Sequence, residues 1–340
     1  MKKILFIGSF VFLATVLVVL SCAKSETPSS PGTTSQKYLY IATGASYAGN
    51  TVSVPTPGKI IAKFSLDGKL VYKVRDYNDG SGDYPIGILN YDSKYLLALI
   101  ENTSGRRIVR VAKDGSGSET NFFINNSSLS AVLRAFTATP DGGVLVSKSS
   151  AIEKVNSSRA RITLGGNPFI SGPAGNCATT TTLVTAMAYG PLNSIFMAHA
   201  AAGENQINVI SSTGYAAAAD CLGYTDAPAA TDYPTAMIYH SSGKMLVSYC
   251  NDATLTHRIY SYDVTNATIN NASKIFDDNS VLQGMTSMVE MPDATILVAS
   301  TTFGTVERFT YGAGKLIKAT STFLSPSQET ASVSGMFIAD

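Results

Sequence analysis

Short runs of apolar residues recur along the chain from Lys37 to its end, separated by clusters of Gly, Asn, Asp and Ser. The runs are roughly four to eight residues long and rich in β-branched and aromatic side chains, as in Tyr95 to Ile100. No long stretch carries apolar residues at the spacing of an amphipathic helix. The pattern therefore predicts an all-β domain over residues 37–340.

A small residue followed by a large apolar one marks an internal repeat. The apolar members lie 48 to 51 residues apart, a spacing too regular for chance. The phrase occurs six times, as Gly87-Ile88, Ala135-Phe136, Ala186-Met187, Ala236-Met237, Ser287-Met288 and Gly335-Met336.

Each repeat contains the same succession of predicted strands. The phrase lies in a first strand, a short turn such as Pro140-Asp141-Gly142 follows, and a second apolar strand comes next. A third strand ends in a tight turn such as Asp114-Gly115, and a more polar fourth strand follows, as in Asn121 to Ile124. Four strands in roughly 50 residues are typical of one blade of a β-propeller.

The two ends of the chain predict how the ring closes. Tyr38 to Ala42 has the pattern of a second strand with no first strand before it, and Gly335 to Ala339 has the pattern of a first strand after which the chain stops. Pairing of the C-terminal strand into the N-terminal blade gives a six-bladed β-propeller of four-stranded blades, with no free sheet edge. An open array of sheets is the alternative.

The third strand and turn from Ile61 to Gly68 resemble those of six-bladed propellers of the broad class that includes NHL-repeat proteins and lactonases. The resemblance extends from Lys37 to Asp340. It implies a fold and leaves the activity open.

The first 21 residues have the order of an export signal: Lys2 and Lys3, then an apolar stretch from Ile4 to Leu20. The run Val19-Leu20-Ser21-Cys22 resembles the lipobox of bacterial lipoproteins, which implies acylation of Cys22 with palmitate. Ala23 after the cysteine implies sorting to the outer membrane in a Gram-negative host. A transmembrane anchor is the alternative interpretation.

Residues 22–36 are rich in Ser, Thr and Pro and predict a flexible tether.

Charge excludes one class of partner. The 25 Lys and Arg residues balance 24 Asp and Glu residues, and loss of residues 1–21 removes Lys2 and Lys3 and leaves 23 against 24. A near-neutral domain has no basic excess to neutralise a phosphate backbone, so we expect no nucleic-acid partner. We expect a monomer.

Loop lengths predict which face of the propeller binds a ligand. The turns between first and second strands are short, whereas long loops fall between second and third strands and between blades. Long loops that the scaffold does not need tend to be functional. We therefore expect the binding surface on the crossover face, through the loops Thr43 to Gly58, Asp76 to Tyr84, Gly165 to Leu183, Cys221 to Tyr233 and Leu324 to Val333.

The starts of the first strands converge on the channel mouth and supply candidate ligand-binding residues. Arg134 is the one charged residue among them and suits a carboxylate or phosphate group, or a salt bridge to a loop acid. Tyr84 and Tyr233 each precede a proline and are candidate aromatic walls for a sugar or a peptide side chain, or packing residues over the crossover.

The remaining reactive residues favour structural roles. We expect a disulfide between Cys177 and Cys221, with Cys221 to Cys250 as the alternative. No metal site is expected, since no CxxC or HxxxH spacing occurs, and Asp76 to Asp83 departs from the order of a calcium loop and predicts a turn. The recurring methionines are expected in the interblade core rather than at a cofactor, and no cofactor is expected.

Two functions fit these observations. The first is a membrane-anchored extracytoplasmic binding or scaffold module that recognises a protein or an envelope glycan through its long-loop face. The second is a metal-dependent hydrolase like the lactonases, with possible ligands on loops among Glu101, Asn102, Asp252, Glu204 and Glu329. A stoichiometric metal in the channel would favour the enzyme.

Overall fold

Six four-stranded antiparallel sheets form the blades of a six-bladed β-propeller. The computed structural model describes residues 36–44, 58–103, 105–122, 133–148, 151–163, 169–170, 184–200, 205–214, 221–251, 254, 256–265, 268–327 and 329–340. The expected all-β fold and blade number are confirmed.

The strands follow one another around the ring, four to a blade. They are β1 (Tyr38–Thr43), β2 (Ile60–Ser65), β3 (Leu70–Asp76), β4 (Tyr84–Asn90), β5 (Tyr95–Asn102), β6 (Gly105–Ala112), β7 (Thr120–Asn121), β8 (Leu133–Ala138), β9 (Val144–Lys148), β10 (Ala151–Val155), β11 (Arg161–Ile162), β12 (Val184–Tyr189), β13 (Ile195–His199), β14 (Gln206–Ile210), β15 (Cys221–Asp226), β16 (Tyr233–His240), β17 (Lys244–Asn251), β18 (Thr256–Thr265), β19 (Thr268–Phe276), β20 (Met285–Glu290), β21 (Thr295–Ser300), β22 (Thr305–Gly312), β23 (Lys315–Lys318) and β24 (Val333–Ala339). A single-turn 3-10 helix, Pro191–Asn193, connects β12 to β13.

The ring closes in the first blade. Strand β24 pairs antiparallel with β1, so that blade 1 has the order β24-β1-β2-β3, while blades 2 to 6 each take four consecutive strands. The last strand thus covers the edge that β1 would otherwise expose. This confirms the closure that the two ends of the sequence predict.

The glycines in the turns between third and fourth strands have the expected conformation. Gly115 and Gly214 have φ angles of 74° and 94°, in the left-handed region that favours glycine in a tight turn. The predicted loop from Cys221 to Tyr233 is shorter in the structure. Cys221 to Asp226 form strand β15, and only the residues after Asp226 make the crossover to β16.

The core consists of six hydrophobic clusters, each between two neighbouring blades. Apolar residues on alternate sides of each second strand contribute to different clusters. In β5, for example, Leu96 and Ala98 pack toward blade 1, whereas Leu97 and Leu99 pack toward blade 3. Burial of the second strands on both faces explains why they are the most continuously apolar runs from Lys37 onward.

The predicted export signal and most of the predicted tether lie outside the described residues. Within the described part of the chain, no helix has both the length and the apolar character needed to cross a membrane. The residues from Lys37 to Asp340 form one compact unit.

Candidate functional site

The first strands of all six blades surround a central cavity of about 510 Å³. This volume falls within the range of pockets that bind small organic ligands. The described lining residues are Gly44, Tyr84, Ile86, Gly87, Ile88, Glu101, Arg106, Ala135, Phe136, Thr185, Ala186, Met187, Thr235, Ala236, Met237, Thr286, Ser287, Met288, Ser334, Gly335 and Met336.

A β-bulge at the same place in every first strand shapes the wall of the cavity. The register of each first strand against its second strand shifts just before the small residue of the repeated phrase, for example between Pro85 and Gly87 and between Pro234 and Ala236. A bulge leaves one residue unpaired and redirects its side chain. Four of these redirected residues carry hydroxyl groups: Thr185, Thr235, Thr286 and Ser334.

The four hydroxyl groups donate to main-chain carbonyls. The acceptors are Ala198 for Thr185 (3.3 Å), Ser248 for Thr235 (3.3 Å), Val333 for Thr286, and Pro85 for Ser334 (2.8 Å). Thr235 Oγ1 also lies 2.7 Å from Ser248 Oγ, and Ser334 Oγ shares its proton with the carbonyl of Ala42 at 3.3 Å. A hydroxyl group that has donated its proton still has lone pairs to offer. The ring therefore presents acceptor oxygens to a ligand that carries hydrogen-bond donors.

The floor of the cavity is apolar. Met187, Met237, Met288 and Met336 lie there with Ile88 and Phe136, and each of the six packs into a different interblade cluster. The four methionines are 6–7% exposed. The expectation that they belong to the interblade core is confirmed, and the same residues form the base of the cavity.

One side of the mouth carries charge. Tyr84, Glu101 and Arg106 lie opposite one another on β4, β5 and β6, and Arg106 Nη2 donates to Glu101 Oε2 over 3.0 Å. Burial, together with the negative charge of Glu101, raises the pKa of Tyr84, which stays a neutral phenol. Among the described lining residues, Glu101 and Arg106 are the charged side chains, and their pairing leaves this lining without net charge.

Behind Tyr84, a clamp of polar side chains fixes the start of β4. Arg107 donates to both carboxylate oxygens of Asp83, over 3.0 and 2.5 Å, and Asn102 Nδ2 donates to Asp83 Oδ1 over 2.8 Å. A bidentate arginine on a buried carboxylate holds both groups in one orientation. The hydrogen bond from Arg107 holds the pKa of Asp83 below its usual value.

Blade 5 contains a second clamp of the same composition. Arg258 Nη1 donates to Asp232 Oδ2 over 2.8 Å, and Asn251 Nδ2 donates to Asp232 Oδ1 over 3.0 Å. The residues after the two aspartates are Tyr84-Pro85 and Tyr233-Pro234. The clamps thus fix the two tyrosines that the sequence predicts at the mouth, in blades on opposite sides of the ring.

The chemistry beside the two tyrosines differs. Cys250 and His257 lie opposite each other on β17 and β18, in the positions that Glu101 and Arg106 take in blade 2. Cys250 Sγ is 3.7 Å from His257 Nε2, which also accepts a hydrogen bond from the backbone N–H of Gly284 over 3.2 Å. Both side chains are buried, under the crossover to blade 6. This pair is therefore embedded between blades, whereas Glu101 and Arg106 face the cavity.

The predicted site residues separate in the structure. Tyr84 lines the cavity, whereas Tyr233 occupies the equivalent place in blade 5 and is not among the described lining residues. The backbone of Arg134 lies in β8, and its side chain is outside the described residues, so its role remains a prediction.

The cysteine pairing is resolved in part. Cys221 is disulfide-bonded, and its partner lies outside the described residues, as do Cys22 and Cys177. Cys250 retains its thiol, so the alternative pairing of Cys221 with Cys250 does not occur. The bond to Cys177 remains a prediction.

Asp252 and Glu204 lie outside the described residues, and the other candidate metal ligands have other partners. Glu101 is a residue of β5 rather than of a loop, and Glu329 lies 3.5 Å from Lys73 Nζ. In the acidic run Asp76 to Asp83, Asp79 Oδ1 accepts the backbone N–H of Ser81 over 3.0 Å, as in a turn. No group of three or more His, Cys, Asp or Glu side chains in the described ranges is placed to hold a metal ion.

The bulges, Arg106 and both clamps are not predicted by the sequence pattern. Arg106 comes from a third strand, and its position at the mouth depends on the register between β5 and β6. The repeated Asp-Tyr-Pro at 83–85 and 232–234 is the sequence signal that marks the two clamps.

No family model and no curated protein matches the chain. Several solved structures share its fold. A putative 6-phosphogluconolactonase from Bacteroides fragilis has a TM-score of 0.56 and 11% identity, with 92% of this chain and all of that chain covered (100%). A periplasmic gluconolactonase from Pseudomonas aeruginosa has a TM-score of 0.53 and 11% identity, covering 89% and 99%. A catalytically inactive virginiamycin B lyase from Staphylococcus aureus with quinupristin has a TM-score of 0.51 and 12% identity, covering 83% and 88%. At these identities the likeness shows the six-bladed fold alone.

Proposed function

We propose that this chain is an extracytoplasmic binding propeller, tethered to the outer membrane through lipid on Cys22, that holds the end of an envelope glycan in its channel mouth. The observation that supports this most is the composition of the cavity: a ring of hydroxyl groups above an apolar floor, with one charge pair that is already neutralised. Such a lining suits a neutral ligand with many hydrogen-bond donors.

A sugar has these properties. Its hydroxyl groups can donate to the lone pairs of Thr185, Thr235, Thr286 and Ser334, and its C–H faces pack on aromatic rings. Tyr84 at the mouth and Phe136 on the floor supply such rings. Arg134, the residue in the corresponding strand of blade 3, is proposed to donate hydrogen bonds to a carboxylate or phosphate substituent where the otherwise neutral glycan carries one.

The test uses a form that begins at Lys37 and so contains all six blades. Soluble peptidoglycan fragments and neutral hexose oligosaccharides are titrated by isothermal titration calorimetry into this protein and its Tyr84→Ala variant. We expect binding of at least one of these glycans, and a loss of about tenfold in affinity in the variant, since removal of a stacked aromatic costs about 1–1.5 kcal/mol.

Tyr224→Ala is the matched control, because Tyr224 is 46% exposed on the outermost strand of blade 4. We expect the control to bind like the wild type, with both variants unfolding within a few degrees of it. The proposal fails if neither glycan class binds, or if both variants lose affinity equally.

Elemental analysis of the same preparation addresses the hydrolase. Glu101 is the carboxylate of the described lining, and a metal ion there would have to displace Arg106. A stoichiometric metal would favour the metal-dependent enzyme over the binding protein.

A further inference from the structure

The lining of the central cavity is arranged in layers along the first strands. Blade 5 contributes three consecutive residues: Thr235, which the bulge leaves unpaired with β17, then Ala236 and Met237. A strand rises about 3.3 Å per residue, so the hydroxyl layer lies about 6 Å above the methionine floor. Blades 1, 4 and 6 contribute the equivalent residues Ser334 to Met336, Thr185 to Met187 and Thr286 to Met288.

Hydroxyl groups and methionines occur together in four consecutive blades of the ring, blades 4, 5, 6 and 1. Blade 2 has Ile86 and Ile88 in these two layers, and blade 3 has Phe136 on the floor. One arc of the wall thus places acceptor oxygens above apolar surface, while the facing arc supplies aliphatic and aromatic side chains. The first is called the hydroxyl arc and consists of Thr185, Thr235, Thr286 and Ser334.

The described side chains of the floor offer no hydrogen-bond donor. The four methionines present thioethers, which are weak acceptors, and Ile88 and Phe136 have no polar side-chain atom. A ligand hydroxyl group that reaches this layer loses water without gaining a side-chain partner, and that loss weakens binding. An apolar group gains contacts there, because methionine side chains adapt to its shape. The floor therefore favours a ligand whose leading group is apolar.

A glycan that enters the cavity by its end brings one edge of its terminal sugar to this floor. In an unsubstituted hexose that edge carries hydroxyl groups. An acetamido substituent ends instead in a methyl group, and its amide N–H lies between this methyl group and the sugar ring, where it can donate to the hydroxyl arc. Deoxy and O-acetyl sugars also present a methyl group, but they have no N–H at this place. The two layers together therefore match an acetamido group.

We propose that the cavity selects a terminal sugar with an N-acetylamino group, whose methyl group packs on the methionine floor and whose amide N–H donates to the hydroxyl arc. This inference rests on the proposed function and narrows it from glycans in general to N-acetylated amino sugars. Ordered water serves the carbonyl oxygen of the acetamido group, because a cavity of about 510 Å³ has room for several water molecules of about 30 Å³ beside one sugar.

The experiment compares matched trisaccharides by isothermal titration calorimetry with the form that begins at Lys37. Triacetylchitotriose and cellotriose have the same linkage and differ in one group on each sugar, which is acetamido in the first and hydroxyl in the second. We expect the acetylated trisaccharide to bind about tenfold more tightly, since a hydroxyl group buried without a partner weakens binding by about that factor. Fully deacetylated chitotriose should bind no more tightly than cellotriose.

Two variants test the floor. Met237→Gln places a polar amide of similar length there and should lower the affinity for the acetylated trisaccharide about tenfold, with a smaller change for cellotriose. Met291→Gln is the matched control, because Met291 is 4% exposed against 7% for Met237 but is not among the described lining residues. The control should leave both affinities unchanged. If Met237→Gln fails to fold, the comparison of the two trisaccharides on the wild type still decides the question.

Equal affinities for the acetylated trisaccharide and cellotriose would overturn this inference and leave the glycan proposal standing. The inference is also overturned if deacetylated chitotriose binds as tightly as the acetylated form, or if Met237→Gln and Met291→Gln change the affinity equally. If neither trisaccharide binds, the inference is lost, and the titration with peptidoglycan fragments and hexose oligosaccharides decides separately whether the glycan proposal also fails.

Discussion

Asp83 and Asp232 occupy the same position in blades 2 and 5, three blades apart in a ring of six, and each carboxylate accepts hydrogen bonds from an asparagine and an arginine of its own blade. Each aspartate directly precedes a tyrosine and a proline at the start of a first strand. The two clamps give the mouth an approximate two-fold arrangement. The residue pairs beside the two clamps differ: Glu101 and Arg106 lie beside the clamp of blade 2, and Cys250 and His257 lie beside the clamp of blade 5.

Removal of one clamp arginine tests how much this arrangement stabilises the ring. Arg258→Met leaves the carboxylate of Asp232, 1% exposed, without its cationic partner, and we expect a loss of about 3 kcal/mol in the free energy of unfolding. Arg107→Met should cost less, about 2 kcal/mol, because Asp83 is 12% exposed and water screens it more. Urea denaturation measures both.

Arg308→Met is the matched control for the clamps. It breaks a pair with Asp293, whose side chain is 54% exposed, and we expect a cost of about 1 kcal/mol or less. Equal losses in all three variants would show that the buried aspartates have no special role.

Acid should weaken the blade 2 clamp. The pKa of Asp83 in the folded protein lies below its ordinary value of 3.8, so the unfolded chain takes up the proton first as the pH falls. The clamp's contribution is therefore fully present above about pH 5 and is lost as the pH falls through the folded pKa, below about 4. Between pH 5 and 3, the free energy of unfolding should fall less steeply in Arg107→Met than in the wild type. An identical slope would contradict the assignment.

The closing strand should tolerate no side chain at Gly335. A Cβ there would lie 2.8 Å from the backbone nitrogen of Ile88 and 3.1 Å from Gly87 Cα, so Gly335→Ala should cost about 2 kcal/mol by overpacking. Gly223→Ala is the control, since a Cβ at Gly223 meets no atom within 4 Å. Its effect should stay within about 0.5 kcal/mol. Thermal unfolding compares the two variants. Similar melting temperatures would contradict the prediction, because they would mean that the innermost strands of blades 1 and 2 lie farther apart than in the structure.

The lipid anchor is tested at Cys22. Cys22→Ser should abolish incorporation of labelled palmitate and leave the precursor uncleaved or release the protein from the membrane fraction, because one acylated cysteine is the stable anchor proposed. Palmitate on the variant would refute the lipobox assignment. Cys250→Ser serves as the control and should label like the wild type, since that thiol is buried in blade 5.

The features that could be predicted from the sequence are those that repeat or belong to one strand. The six small-large phrases place Ile88 and Met336 in equivalent strands, and the ends of the chain predict the pairing of β24 with β1. The first-strand residues of the mouth follow from the same repeat, and Tyr84 and the four threonine and serine residues line the cavity there.

The features that could not be predicted depend on register across strands. Asp83 ends an Asp- and Gly-rich run that predicts a turn, and its partner Arg107 is 24 positions further along the chain. The sequence predicts Glu101 in a loop, but β5 continues to Asn102 and pairs it with Gly105. The bulge in each first strand determines which side chain enters the channel, and no residue type in the repeated phrase marks where a bulge will form.

The strand order of blade 1 also determines when the propeller can close during folding. Ser334 of β24 bonds to the carbonyl of Ala42 in β1, 292 positions away, so blade 1 has an open edge until the last strand has been delivered. Contacts between such distant segments form late and slowly, because the entropy of closing a long loop is lost before the pairing compensates for it. A chain that crosses a membrane from its N-terminus would expose β1 first and β24 last. Export in an extended form followed by a single closing step is therefore compatible with this topology, and any chaperone that accompanies the chain would have the edge of β1 to protect.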